Sequence, residues 1–424
     1  MELGTIKNSS AHNHGQQLDK IIQIEQRNKG KDYVKLENFP NLKSCYQKSS
    51  NDIMQTHQGD IVGASLKTFR SLKKTLSRAR SSRYPPLPAN RAEITIPDKL
   101  RNNFDNETFF RISDGDSEKI LIFATDKFLN YLSSSDHVYA DGTFKSVPKL
   151  FHSLYTFHVM VNGVMIPTVY ALIPSANYNT YLRLIRLVQD LCAAINLTWN
   201  PDFFTTDFEM ASMKAIKTCF PACTLKSCLF HFGQNIWRNV VKHQLRDLYN
   251  EQNSEVYKTI RRISALPFLN IVDIHDTFDW IVSESPQLDN LDDFIHYFKS
   301  TYLLDDSRFP VSTWNHYNDR DPRTNNHVEG WHFALNKSMG RNHANLWIFI
   351  EKIIQHQNSF ETNLLMASFG ATINVTERKT LDINRRIQNL TAEYSLGHLT
   401  PFEFIDKIKY YTKLSDSNRI SIVD

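Results

Sequence analysis

Two runs of apolar, branched and aromatic residues, Leu154–Val161 and Val164–Ile173, are joined by nothing but Asn162-Gly163. Both positions of a two-residue hairpin turn need positive φ, which Asn and Gly tolerate, so the stretch predicts an antiparallel strand pair. The flanking pattern builds on it. Lys119–Ala124 and His137–Asp141 read as strands, with a short helix from about 126 to 132 between them. After the hairpin, residues 179–195 carry Tyr181, Leu182, Leu184, Ile185, Leu187, Val188 and Leu191 on one broad helical face. Phe203–Thr206 is a short strand, Met210–Cys219 a helix and Leu225–Cys228 another brief strand. An antiparallel meander followed by parallel strands and crossover helices gives an α/β mixed sheet with helices on its faces.

Composition narrows the setting. With 424 residues, 41% of them apolar, the chain is a folded protein of more than one domain. It has no apolar run of membrane-spanning length and no N-terminal signal pattern, so neither membrane nor secretion is expected. Five scattered cysteines, Cys45, Cys192, Cys219, Cys223 and Cys228, do not suggest a disulfide framework. The charge is uneven: residues 1–100 hold 17 of the 49 basic and 9 of the 45 acidic side chains, so this part is near +8 and the rest near −4.

Residues 1–55 are polar and weakly periodic, which reads as a flexible or loosely helical segment. From Asp60 a single helix is expected, with Val62, Leu66, Phe69, Leu72 and Leu76 at helical spacing and a stop before Tyr84-Pro85-Pro86-Leu87-Pro88. Along it lie Lys67, Arg70, Lys73, Lys74, Arg78, Arg80 and Arg83, with no acid between Asp60 and Glu93. Seven cations without a counter-charge suit a polyanion, either as a DNA-binding arm or for nuclear import; a solvated helix face is the plainer alternative.

Three distant acids stand out: Asp141 in YADGTF, Asp207 in FFTTDFE and Glu329 in RTNNHVEGWH. The first two end strands and the third opens an amphipathic helix. The order of elements is that of a ribonuclease-H-like core, whose first acid lies on the first core strand, the second at the end of the fourth and the last on a late helix. Two-metal phosphoryl transfer needs hard oxygen ligands that hold two ions roughly 4 Å apart. Each acid has a rival reading. Asp141 could be a turn aspartate before Gly142, and Glu209, two residues after Asp207, competes with Glu329 for the third place. If the Met210 helix begins there, Glu209 is instead a first-turn acid favoured by the helix dipole. Val328, Trp331, Leu335 and Met339 would bury one stripe of the Glu329 helix, with Asn325, Glu329, His332 and Asn336 on the next. His332 would orient a phosphate or Glu329, or serve as a structural histidine.

Cys228-x2-His231 offers two zinc ligands, but nothing at standard spacing completes a tetrahedral site, so packing of the site or DNA contact is expected instead. Gln234 and Arg238 follow on one stripe as a phosphate-contacting edge.

The segments DGTFKSVPKLFHSLYTFH, MIPTVYALIPSANYNTYLRLI, TTDFEMASMKAI and SCLFHFGQNIWRNV, followed by WNHY, NNHVEGWH and ALN, resemble the transposase domain of Mutator-like elements, the MULE domain of DDE transposases, over residues 115–365. The resemblance implies a DNA transposase that cuts at element ends and joins the freed 3′ hydroxyl to target DNA. Its catalytic, metal-binding acids would be Asp141, Asp207 and Glu329, with two Mg²⁺ or Mn²⁺ ions and no small-molecule cofactor. It also implies homo-oligomers that pair two DNA ends, and a nuclear location. A domesticated copy that binds DNA without cutting it is the alternative. His12-x-His14 resembles the tail of the FLYWCH zinc finger that family members carry, but its upstream ligands are missing and no finger is expected. The expected organisation is a polar, basic and mostly helical arm with a Pro-rich linker (1–92), the core (93–228), a helical insertion (229–322), the end of the core with the third acid (323–365) and a helical extension (366–424).

Overall fold

The computed structural model describes residues 14–37, 40–57, 60–251, 253–317, 319, 326–340, 342–373, 378–411 and 414. They divide into two compact units, the first drawn from 1–89, 95–100 and 345–355 and the second from 90–94, 101–344 and 356–424.

The first unit holds helices α1 (His14–Leu36), α2 (Leu42–Thr56), α3 (Asp60–Ser65) and α4 (Phe69–Ser81). The polar stretch expected to be loosely helical is packed, because its few apolar residues fall on facing stripes. Val34, Cys45, Leu72, Leu76 and Ala79 form one small core, and Ile22, Ile53 and Val62 another. Glycine at position 30 lets α1 approach α4, since a Cβ there would stand 3.1 Å from the Leu76 side chain. Gln26 is fully buried and donates to Ser50 Oγ (3.0 Å) and the Lys67 carbonyl (3.1 Å), while accepting from the Lys67 N–H (2.9 Å). Gln26→Leu takes this partner from the Lys67 N–H and carbonyl, while Ser50 Oγ still donates to the Tyr46 carbonyl at 2.9 Å, and lowers the stability of this unit by about 1–3 kcal/mol, measurable by chemical denaturation.

The single helix expected from Asp60 is two. Thr68 adopts extended backbone (ψ 156°) at the N-cap of α4 and breaks the run, although the apolar spacing continues across it. Arg70, Lys73, Lys74 and Arg78 are exposed, whereas Lys67, Arg80 and Arg83 are half-buried. Arg80 and Arg83 bias a buried carboxylate: burial pushes Glu351 up, opposed by the Arg80 charge, the Tyr84 hydroxyl that donates to it at 3.1 Å, and Arg83.

The second unit contains a seven-stranded sheet: β1 (Phe110–Asp114), β2 (Ile120–Phe123), β3 (His137–Thr143), β4 (Ser153–Val161), β5 (Val164–Ile173), β6 (Phe203–Thr206) and β7 (Thr224–Ser227). Their order is β1-β2-β5-β4-β3-β6-β7, antiparallel from β1 to β3 and parallel from β3 through β6 to β7. The last five strands make the ribonuclease-H-like arrangement, and β1 and β2 extend its antiparallel edge. Asn162 (φ 49°) and Gly163 (φ 76°) form the hairpin turn, with Val161 opposite Val164. Pro167 is tolerated inside β5 because the register slips beside it; Thr168 is the extra residue, and its hydroxyl donates to the Phe157 carbonyl at 3.0 Å.

Three helices lie between strands: α5 (Asp126–Ser133), α6 (Tyr178–Ala194) and α7 (Met210–Cys219). Side chains on α6 start cleanly because Asn177 Oδ1 accepts from the Thr180 N–H at 2.9 Å. After β7 come α8 (Leu229–Lys242), α9 (Arg246–Asn250), α10 (Glu255–Ala265), α11 (Ile274–Ser283), α12 (Asp289–Tyr302) and α13 (Val311–Trp314), then α14 (Asn326–Met339), α15 (Leu346–Ser368), α16 (Arg378–Ser395) and α17 (Pro401–Ile408). The insertion is tied to the sheet edge by the WNHY stretch. Lys226 Nζ on β7 donates to the Asn315 carbonyl (2.6 Å), and His316 Nε2 donates to the Ser227 carbonyl (2.9 Å) while its Nδ1 faces Asp319 (2.6 Å). The C-terminal extension packs on the insertion: Arg262 pairs with Asp406 at 2.8 Å, and Arg261 donates to the Lys409 carbonyl at 2.7 Å.

Candidate active site

Alternation along β3 decides where its acid points, since successive side chains leave a strand on opposite faces. Val138 and Ala140 enter the main core shared with α5, α6 and α7. Tyr139, Asp141 and Thr143 face α14: Tyr139 packs on Val328, Asp141 meets His332, and Asn336 donates to the Thr143 hydroxyl at 3.4 Å. Val328, Trp331 and Leu335 are buried, as their spacing predicts, whereas Met339 in the last turn is only half-buried.

Asp141 is 3% exposed. One carboxylate oxygen accepts from the Gly142 N–H at 2.8 Å and the other lies 3.2 Å from His332 Nδ1. Burial alone would raise this carboxyl, but the hydrogen bond from His332, the field of His332 and His231, and the Gly142 N–H outweigh it and hold it below the ordinary range. Behind His332, its Nε2 lies 3.4 Å from Thr156 Oγ1, which in turn is 2.8 Å from His158 Nε2. That buried chain fixes the His332 ring and, through it, the rotamer of Asp141.

Asp207 follows directly on β6, the parallel neighbour of β3. Its carboxyl is pushed up to about 7, first by burial and then by the Asp141 charge, against the opposing influence of His231 and the Glu209 backbone N–H. Glu209 occupies the N-cap position of α7, and its side chain accepts from the Tyr181 hydroxyl at 2.8 Å. Burial raises this carboxyl too, with the Tyr181 hydrogen bond opposing.

Glu329 lies in the first turn of α14 and pairs with His231 Nε2 at 2.9 Å. Burial lowers the proton affinity of His231, but Cys228, Glu329 and Asp141 together raise it well above the ordinary histidine range. Ligand atoms of Asp141, His231 and Glu329 all lie within 4.8 Å of one another, and no other such trio occurs among the described residues. Asp207 is outside this trio but near enough for Asp141 to shift its titration. Two carboxylates and an imidazole from three separate elements, with a third carboxyl alongside, form a donor set that fits a hard divalent cation.

Cys228 is buried at the N-cap of α8, beside the ring of His231. Gln234 and Arg238 are one turn apart on α8, where Arg238 donates to Gln234 Oε1 at 3.2 Å. His332 has the strand acid Asp141 as its carboxylate partner. Asn325 and His12 lie outside the described residues. His231 joins the acid trio, whereas its spacing from Cys228 pointed to packing or DNA contact; only the placement of α8 by β7 turns the ring toward Glu329. His316 was visible in sequence solely as part of the WNHY resemblance.

Residues 137–235 match the family model described as MULE transposase domain. The matched segment carries Asp141, Asp207, Cys228, His231 and Gln234, and supports the resemblance read from the motifs; Arg238 and Glu329 lie beyond it. No curated protein matches the chain, and no solved structure does.

Proposed function

We propose that the chain is a Mutator-like transposase that cuts and joins DNA strands using divalent metal held by Asp141, Asp207 and Glu329. One observation carries this reading: Asp141 of β3 and Glu329 of α14 meet at His231, with Asp207 from the end of β6 close enough to feel both Asp141 and His231, and all but Glu329 fall in the segment that matches the transposase model. Mg²⁺ or Mn²⁺ bound there would supply activation of the attacking oxygen and stabilisation of the leaving one. The chain's own contribution is positioning. Gly142 and His332 fix the Asp141 carboxylate, and His231 holds Glu329 in reach of it. The exposed cations of α4 would hold the DNA backbone, which sets register without reading sequence. Action on DNA ends in pairs calls for a homo-oligomer, and a nuclear location accompanies the same reading. Among the described residues no helix is long and apolar enough to cross a membrane.

The test uses duplex DNA made from the sequence on either side of the gene, searched for inverted repeats, with Mn²⁺ or Mg²⁺. The wild type nicks or joins strands at the repeat ends. Asp141→Asn lowers that rate by at least about 10³-fold while leaving the DNA dissociation constant within about twofold. Soluble wild-type protein that binds the repeats and cleaves nothing overturns the enzymatic reading in favour of a domesticated DNA-binding protein.

A further inference from the structure

A cleft of about 390 Å³ opens between α8 and the α12 region of the insertion, and Asp207 and His231 are among its lining residues, so it adjoins the acid cluster. Asn235 and Arg238 line it from α8, and Tyr297, Tyr302 and Arg308 from the insertion. Its volume falls within the range of small-ligand sites. Two features give it a chemical preference. Arg238 and Arg308 are both exposed, and among the described residues neither belongs to an ion pair. Arg238 is steadied only by Gln234, and Arg308 lies 5.3 Å from the Phe309 ring. The cleft therefore presents two guanidinium groups outside any ion pair, suited to contact with a phosphate, and among the described residues the Asp207 carboxyl is the one acid in its lining. In the same lining, the half-buried Tyr297 ring and the Asn235 amide offer a stacking face and hydrogen-bonding groups of the kind that engage an unpaired base.

We propose that this cleft binds one nucleotide of a DNA strand next to the bond that is cut, with its phosphate between Arg238 and Arg308 and its base, unpaired, against Tyr297. The assignment rests on the transposase reading for the identity of the strand, but its chemistry requires only a single-stranded phosphodiester. Bound there, the nucleotide places the adjoining phosphate toward Asp207 and Asp141. The segment from α12 to α13 thus acts as one jaw of a clamp whose other jaw is α8.

The experiment uses the full chain and a fluorescein-labelled 12-nucleotide single strand carrying one 2-aminopurine, titrated in EDTA at several salt concentrations. Arg238→Ala and Arg308→Ala each weaken binding about 5–10-fold at low salt and reduce the slope of log K against log salt by roughly 0.7. Both also remove the 2-aminopurine fluorescence change, and Arg308→Lys recovers only part of the affinity, because the charge is retained but the bidentate fork is lost. Affinity, slope and fluorescence response all unchanged in both alanine variants overturn the proposal. Strand cleavage by the wild type, assayed separately with Mn²⁺, keeps the two readings apart. Absent cleavage with the arginine effects intact removes the transposase reading and leaves the nucleotide site, whereas cleavage without arginine effects does the reverse.

Discussion

Asp207→Asn makes the metal-free protein more stable at pH 8 and abolishes its stabilisation by Mn²⁺. The cause is the cost of ionising this carboxyl in the folded state. Its folded value is pushed up to about 7 by burial and by the neighbouring Asp141 charge, far above the ordinary carboxylate range. Below the unfolded value the group is protonated in both states and has no effect. As pH rises toward 7 the unfolded chain releases the proton and the folded one retains it, so folding stability falls across that window and stays reduced above it. Asparagine removes the penalty, worth on the order of 4 kcal/mol at pH 8, and the advantage shrinks to nothing near pH 4. A divalent cation does the same for the wild type by giving the ionised carboxylate a partner; at a hundredfold excess over its dissociation constant it adds about 2.7 kcal/mol. Thermal melts at pH 5 and pH 8, each with and without Mn²⁺, check both halves. A variant no more stable than wild type at pH 8 would show that the carboxyl is not held against its charge, and Mn²⁺ stabilisation surviving in the variant would show that Asp207 is not a ligand. On the proposed transposase reading, the same substitution that stabilises the fold also removes strand cleavage, the pattern expected where like charges are gathered for chemistry.

The parts of this site that could be read in the sequence are those set by short-range rules. Asn162-Gly163 dictates its hairpin through backbone sterics, and the hairpin fixes the meander on which β3 sits. Asp141 ends an alternating strand, and its direction follows from the period of two. The helix boundary at Cys219 and the stop before Pro85 are equally local. What escaped depends on tertiary partners. β1, with its sequence FRISD, offers no apolar run because it is an edge strand half-covered on both faces. The break at Thr68 hides inside a continuous apolar spacing, since two short helices turned against α1 and α2 bury the same residues that one long helix would. The polar stretch before it looks too poor in apolar residues to pack, yet Gln26 joins α1 to α2 and to the α3–α4 turn with three hydrogen bonds that no hydropathy pattern records. Arg80 and Arg83 read as part of a uniform basic stripe but lie beside a buried glutamate contributed by a helix more than 260 residues later. Arg238 and Arg308, 70 residues apart, share a cleft only because the insertion folds back on α8.

Trp314→Ala costs about 3–5 kcal/mol in the stability of the second unit, the largest single loss expected in the insertion. The side chain is fully buried, with its indole stacked on Phe232 of α8 at 5.4 Å between centroids and 18° between planes. Its Nε1–H donates to two carbonyls, Tyr302 and Phe309, at 3.2 Å each. Removing the ring therefore opens a cavity at the α8 contact and also frees the segment between α12 and α13 that carries Arg308. Trp314→Phe is milder: it keeps a phenyl ring against Phe232 but loses the N–H and part of the indole volume, so urea denaturation should register about 2–3 kcal/mol, less than the alanine variant. If the indole sets the position of Arg308, Trp314→Phe also weakens single-strand binding, and its effect does not add to that of Arg308→Ala in a double-mutant cycle, because a displaced guanidinium and a missing one lose the same contact. Full additivity in that cycle would mean that the segment keeps its place without the indole, and that Trp314 serves stability alone.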